Sequence, residues 1–135
     1  MAITNITSIF PLITNTFVIT IFGTKLYIAK VIAMYEQKDK FHSYVIWPII
    51  DIQDLSYISL QVFTYIQGHI FADFVTDEFG NNFSLFSHCN SKHIVYNIGI
   101  ADVQLENNIF FLKGIAKTIF LNLNNIEIRN IIAKF

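Results

Sequence analysis

Hydrophobic residues in this chain fall in short runs between polar breaks, and most runs carry the two-residue period of strands. Phe17 to Phe22 reads Phe-Val-Ile-Thr-Ile-Phe and stops at the turn signal Gly23-Thr24, so a first strand is expected there. In Leu26 to Tyr35, one side shows Tyr27, Ala29, Val31, Ala33 and Tyr35, and the other shows Leu26, Ile28, Ile32 and Met34. A strand apolar on both faces belongs in the middle of a sheet. The charged stretch Glu36-Gln37-Lys38-Asp39-Lys40 reads as an exposed loop between strands. Phe41 to Ile50 can form the next strand, with Pro48 confining it to an edge or ending it early, and Asp51-Ile52-Gln53-Asp54 is a connection.

The clearest alternation follows. Ile58, Leu60, Val62 and Ile66 point one way, and Tyr57, Ser59, Gln61, Phe63 and Tyr65 point the other. The first set is expected in the core, and the second forms an aromatic and polar face. Ile70 to Val75, Phe83 to Phe86 and His93 to Ile98 are further strands, separated by Gly80-Asn81 and by Asn90-Ser91-Lys92, and Gly99 marks a turn or bulge. Val103 to Leu105 and Ile109 to Leu112 flank Glu106-Asn107-Asn108 as a tight hairpin. Beyond Gly114 the period changes: Ile115, Ile119, Leu123, Ile126 and Ile131 approximate 3.6 residues per turn, which predicts a helix from Ile115 to Lys134.

These elements predict a mainly β protein, β or α+β: a small, partly open antiparallel β-barrel or strongly curved sheet with one C-terminal helix. At 135 residues one domain is expected, with an apolar segment over 1–24, a β core over 25–112 and the helix over 115–134. Composition agrees, because fourteen Phe, six Tyr and abundant Ile and Val suit a pleated, half-buried surface. The segment from Met1 to Thr24 holds no charge, and Ile3 to Phe22 has the length of a membrane span. Its five threonines, its asparagines and Pro11, with no basic stretch before it, favour β-structure over an anchor or signal peptide.

A net charge of −1 with scattered basic residues gives no electrostatic footprint for non-specific nucleic-acid binding. So little charge on so apolar a chain points to a partner, a homo-oligomer or a larger assembly. The single cysteine, Cys89, cannot close an intrachain disulfide, which fits an intracellular protein of cytoplasm or nucleus.

Chemistry-bearing residues are sparse. His88, Cys89 and His93 are the nearest approach to a zinc-ligand cluster, but one cysteine cannot supply the paired motifs of structural sites. Cys89 as a nucleophile would need a histidine base; His88 would point away from it along an extended chain, and His93 would meet it only through a folded loop. Asp51, Asp54, Asp73, Asp77 and Glu78 sit where strand ends and turns place solvated carboxylates, and no GxGxxG, P-loop, GxSxG or HExxH occurs. No catalytic residue and no cofactor is expected. What remains is the aromatic strand face of Tyr57, Ser59, Gln61, Phe63 and Tyr65 with nearby Trp47, suited to a protein or peptide segment held by stacking and cation–π contacts.

The strand Leu26-Tyr27-Ile28-Ala29-Lys30-Val31-Ile32-Ala33-Met34-Tyr35, followed by a charged loop, more strands and a closing helix, resembles small SH3-like barrels of the bromo-adjacent-homology type. That resemblance implies a chromatin-associated or other protein-binding module. The family's aromatic-Arg-Pro segment is missing, with only Trp47-Pro48 nearby, so no binding residue is carried over. The leading expectation is a non-catalytic interaction module. Its rivals are a structural or membrane-associated assembly subunit using the apolar N-terminal segment, and a small metal-dependent or cysteine hydrolase.

Overall fold

Strand follows strand until the last element. A computed structural model describes residues 5–124: β1 Phe17–Phe22, β2 Lys25–Lys38, β3 Phe41–Val45, a 3-10 turn Ile52–Asp54, β4 Tyr57–Val62, β5 Thr64–Gln67, β6 Ile70–Ala72, β7 Val75–Thr76, β8 Asn82–Phe83, β9 Leu85–Asn90, a second 3-10 turn Ser91–His93, β10 Ile94–Gly99, β11 Val103–Glu106, β12 Ile109–Leu112 and helix α1 Gly114–Leu123. Among the described residues the fold is mainly β with one helix, and its sheets are antiparallel and not closed, as the sequence pattern predicts. No helix among the described residues is long and apolar enough to cross a membrane.

The main sheet runs β10-β1-β2-β4-β9, with β3 also on β2. Its two ends, β9 and β10, are consecutive in the chain and separated only by Ser91–His93, yet no ladder joins them. The sheet therefore curls on itself and stops short of a barrel. Its inner face gathers Val18, Ala29, Val31, Met34, Val45, Ile58, Leu60, Val62, Cys89 and Ile94, plugged by Ile6, Leu12, Ile49 and Leu55. A second sheet, β11-β12-β6-β5, and α1 cover part of the outer face. Between them lie Phe17, Ile19, Ile21, Leu26, Ile28, Phe63, Phe71, Phe110 and Phe120, with Phe110 4.8 Å from Phe17 and 5.0 Å from Phe63 between ring centroids. β1 and the first half of β2 are thus buried on both sides, which explains their unbroken apolar runs.

β2 carries the detail on which the site depends. Its ladder with β4 shifts register between Val31 and Ala33, so Ile32 is an extra residue. A bulge of this kind reverses which side later residues face. Before it, Ala29 and Val31 point inward with Tyr27 packed beside them; after it, Met34 takes the inward role and Tyr35 turns outward. The simple alternation expected for this strand, with Tyr27 and Tyr35 on one side, is corrected by that residue.

Three other expectations change, and one is met: the strand beginning at Phe41 ends early, as Pro48 implies. The charged loop is mostly strand: Glu36, Gln37 and Lys38 extend β2, and the turn is confined to Asp39-Lys40, with Asp39 in the left-handed region at φ 56°. The strand from Phe41 stops at Val45, ahead of Pro48, and a single bridge pairs Ile49 with Leu12. The N-terminal segment is strand only from Phe17; over residues 5–16 it is irregular apart from the Leu12–Ile49 bridge, with Asn15 in the left-handed region at φ 67°. The helix ends at Leu123 and buries Ala116, Phe120 and Leu123 while Ile115 is exposed. The rest of the predicted helix, 125–134, lies outside the described residues.

Candidate functional site

The second layer covers the outer face of the main sheet over β1 and the start of β2, and leaves it bare over β3, the end of β2, β4 and β9. On that bare face aromatic rings line up across the strands. Tyr44 of β3 is opposite Tyr35 of β2, and Tyr35 is opposite Tyr57 of β4. The Tyr35 and Tyr57 rings stack at 4.5 Å with planes 18° apart, and Tyr44 stands nearly perpendicular to Tyr35 at 5.6 Å. His42 meets Tyr57 edge-on at 4.9 Å, and His88 of β9 does so at 6.0 Å. Parallel and perpendicular rings are the arrangements that the aromatic quadrupole favours.

Polar groups complete the face. Ser59 is opposite His88, and its Oγ shares a 2.7 Å hydrogen bond with the His88 Nδ1. His42 Nδ1 hydrogen-bonds Ser56 Oγ at 3.0 Å, and that hydroxyl donates to the Tyr35 carbonyl. Gln61 lies opposite Lys30 on one side and Phe86 on the other, and its Nε2 donates to the Asp73 carbonyl. Both histidines are thereby oriented, and Phe86, 62% exposed, widens the apolar part of the surface.

Of the face expected from sequence, the structure brings Tyr57, Ser59 and Gln61 together. Phe63 keeps their phase but lies under the second layer, 3% exposed, with its backbone N–H donating to the Ile28 carbonyl. After Phe63 the chain changes sheets, so Tyr65 belongs to β5, where its hydroxyl accepts from the Gly68 N–H. The same change turns Ile66 away from the interior, 48% exposed, whereas Ile58, Leu60 and Val62 are core as predicted. Trp47 lies beyond the end of β3, half exposed among Ile46 and Ile50. Sequence reading missed His42, Tyr44 and Phe86 as members of the face, and did not place Tyr35 or His88 on it. Only strand register could have placed them beside Tyr57.

The residues weighed for metal or thiol chemistry are dispersed. Cys89 is buried in the interior of the curved sheet, and burial pushes its thiol up to about 11 despite a hydrogen bond with the Thr20 hydroxyl. His88 is on the opposite face of the same strand, bonded to Ser59. His93 stacks on Phe22, and its Nδ1 hydrogen-bonds the Ile21 carbonyl. No group of three or more His, Cys, Asp or Glu among the described residues is placed to hold a metal ion.

Compared with known proteins, the chain matches no family model, no curated protein and no solved structure.

Proposed function

We propose that this protein is a non-catalytic interaction module that holds an extended protein segment on the bare face of Tyr44, Tyr35, Tyr57 and His88, flanked by Ser59, Gln61 and Phe86. The observation that carries this reading is the stack of Tyr35 on Tyr57 on a face the second layer leaves open. Rings held by cross-strand neighbours present flat, amphipathic area at little further loss of rotamer freedom, which suits recognition of peptide, proline or cationic side chains. The resemblance of Leu26 to Tyr35 to a bromo-adjacent-homology strand supports the same class of partner, including a chromatin protein. Selection of displayed random peptides on the intact protein tests it. Clones that bind wild type and Leu105→Ala but lose Tyr57→Ala support the face as the site; clones indifferent to Tyr57→Ala, or no enrichment at all, sink it.

A second reading rests on a different surface. Ile9 (93% exposed), Phe10 and Ile13 come beside Ile46 (82% exposed), Trp47 and Ile50 through the Leu12–Ile49 bridge. That uncharged apolar patch fits an assembly or membrane-associated subunit. Flotation with neutral phosphatidylcholine vesicles, abolished by Trp47→Asp, supports the membrane form, and absence of flotation removes it.

A further inference from the structure

The main sheet has two ends, and they are treated differently. At β10 the Asn5 carboxamide acts as a short false strand: its Nδ2 donates to the Asn97 carbonyl at 3.0 Å, and its Oδ1 accepts from the Asn97 N–H at 2.6 Å. That end is sealed. At β9 nothing comparable occurs among the described residues. β9 pairs with β4 in unbroken register from Val62↔Leu85 to Tyr57↔Asn90, without a bulge. There is no proline in it, and no Asp, Glu, Lys or Arg stands between Glu78 and Lys92. Lysine, proline, bulges and covering segments are the devices that keep edge strands from pairing, and among the described residues β9 has none of them.

The direction of its free groups follows from the ladders. Phe63 N–H donates to Ile28 O across the β2–β4 ladder, while Val31 exchanges bonds with Asn15 and Thr16 on the other side of β2. Alternation along antiparallel strands then aims the backbone of Leu60 and Val62 at β9, where Ser87 and Leu85 receive it. Phe86 and His88 are left with N–H and C=O directed outward and Asn90 with its N–H, the Asn90 carbonyl opening the 3-10 turn Ser91–His93; all three residues are exposed.

We infer that β9 is a self-pairing edge: two copies of this chain associate by antiparallel β9–β9 pairing about a two-fold axis, joining their main sheets. A two-fold interface needs a self-complementary strip, and a six-residue strand with no charge sets no like charges opposite one another. With Ser87 opposite Ser87, Phe86 of each copy lies opposite His88 of the other, and both residues present their outward backbone groups. The other edges fit less well. β11 carries Glu106, β5 has a register shift between Tyr65 and Gln67, and antiparallel self-pairing about Ser43 of β3 would set Lys40 against Ile46. Pairing at β9 uses backbone groups rather than the tyrosine rings, so it stands whether or not that face binds a peptide. It would place two such faces side by side.

Sedimentation equilibrium of the intact chain from low to several hundred micromolar tests the association. The expected result is a concentration-dependent shift from one chain to two. Phe86→Lys, which charges the edge, and Phe86→Pro, which removes an outward N–H, should both remain single chains. A wild type of monomer mass throughout, or a dimer that persists in folded forms of both variants, overturns the proposal. Amide exchange in the wild type gives a readout independent of variant folding. Slowing at Phe86 and His88 as concentration rises supports the β9 edge, and unchanged exchange at both in a sample that dimerises overturns it.

Discussion

Tyr35 and Tyr57 stack across the β2–β4 ladder with ring centroids 4.5 Å apart, and Tyr57 also receives the edges of His42 and His88. Tyr57 is thus the shared member of three ring contacts. Each aromatic pair is worth about 0.5–1.5 kcal/mol beyond area burial, so Tyr57→Ala is expected to destabilise by about 2 kcal/mol. Tyr57→Phe keeps the ring and should stay within about 0.5 kcal/mol of wild type. Urea denaturation midpoints read both.

Phe63 and Tyr65 are separated by a single residue, but the crossing between sheets gives them different surroundings. Phe63 packs against Phe17 and Phe110, so Phe63→Ala should destabilise by about 3–5 kcal/mol. Tyr65 is half exposed and touches Phe71 at its edge, so Tyr65→Ala is expected to lose about 1 kcal/mol. Comparable losses at the two positions, measured by urea denaturation, would contradict the crossing.

Cys89 makes stability depend on alkaline pH. Its folded thiol is held at about 11, above the ordinary value of 9.0, chiefly by burial. Below the ordinary value both states bind the proton and nothing is lost. Between about 9 and about 11 the unfolded chain releases it and the folded chain does not, so stability falls as pH rises. Thermal midpoints should decline over that window and decline less in Cys89→Ala. A smaller fall remains from Tyr96, raised by burial and by the Asp102 carboxylate. At neutral pH iodoacetamide should label Cys89 only in unfolded protein.

Asn97 is buried and ties down the N-terminal segment. Its Nδ2 donates to the carbonyls of Phe10 and Pro11, while its backbone exchanges bonds with Asn5. Asn97→Ala leaves those carbonyls without this donor, and a loss of about 1–3 kcal/mol is expected. The segment should loosen before the sheet does. Amide exchange at Leu12 and Ile49, which bond each other, should accelerate more than exchange at Ile58 or Leu60.

The strands that could be read in the sequence were those whose signal is local. β1 ends at Gly23-Thr24 as expected, the Asn107-Asn108 hairpin is confirmed with both residues in the left-handed region, and Ile58, Leu60 and Val62 are core. Three features were not legible because tertiary relations decide them. Glu36 to Lys38 look like loop by charge, yet pairing with β3 makes them strand. Phe63 looks like a partner of Tyr57, yet a layer built from distant β6, β12 and α1 covers it. The tyrosine face depends on register between β2, β3 and β4, which no single strand carries. Tyr57, Ser59 and Gln61 were visible as one face from their spacing alone, and Tyr35, His42, Tyr44, Phe86 and His88 were not.

The extra residue at Ile32 has an effect out of proportion to its size. Residues before it and after it in β2 obey opposite rules of inside and outside. Removing that one residue would leave β2 a strand of nearly the same length and composition. The ladder would then run evenly, with Val31, Ala33 and Met34 opposite Leu60, Ser59 and Ile58, and Tyr35 would keep its outward place. A β2 that kept Ile32 but pleated without the bulge would instead turn Tyr35 toward the packed interior and Met34 toward water.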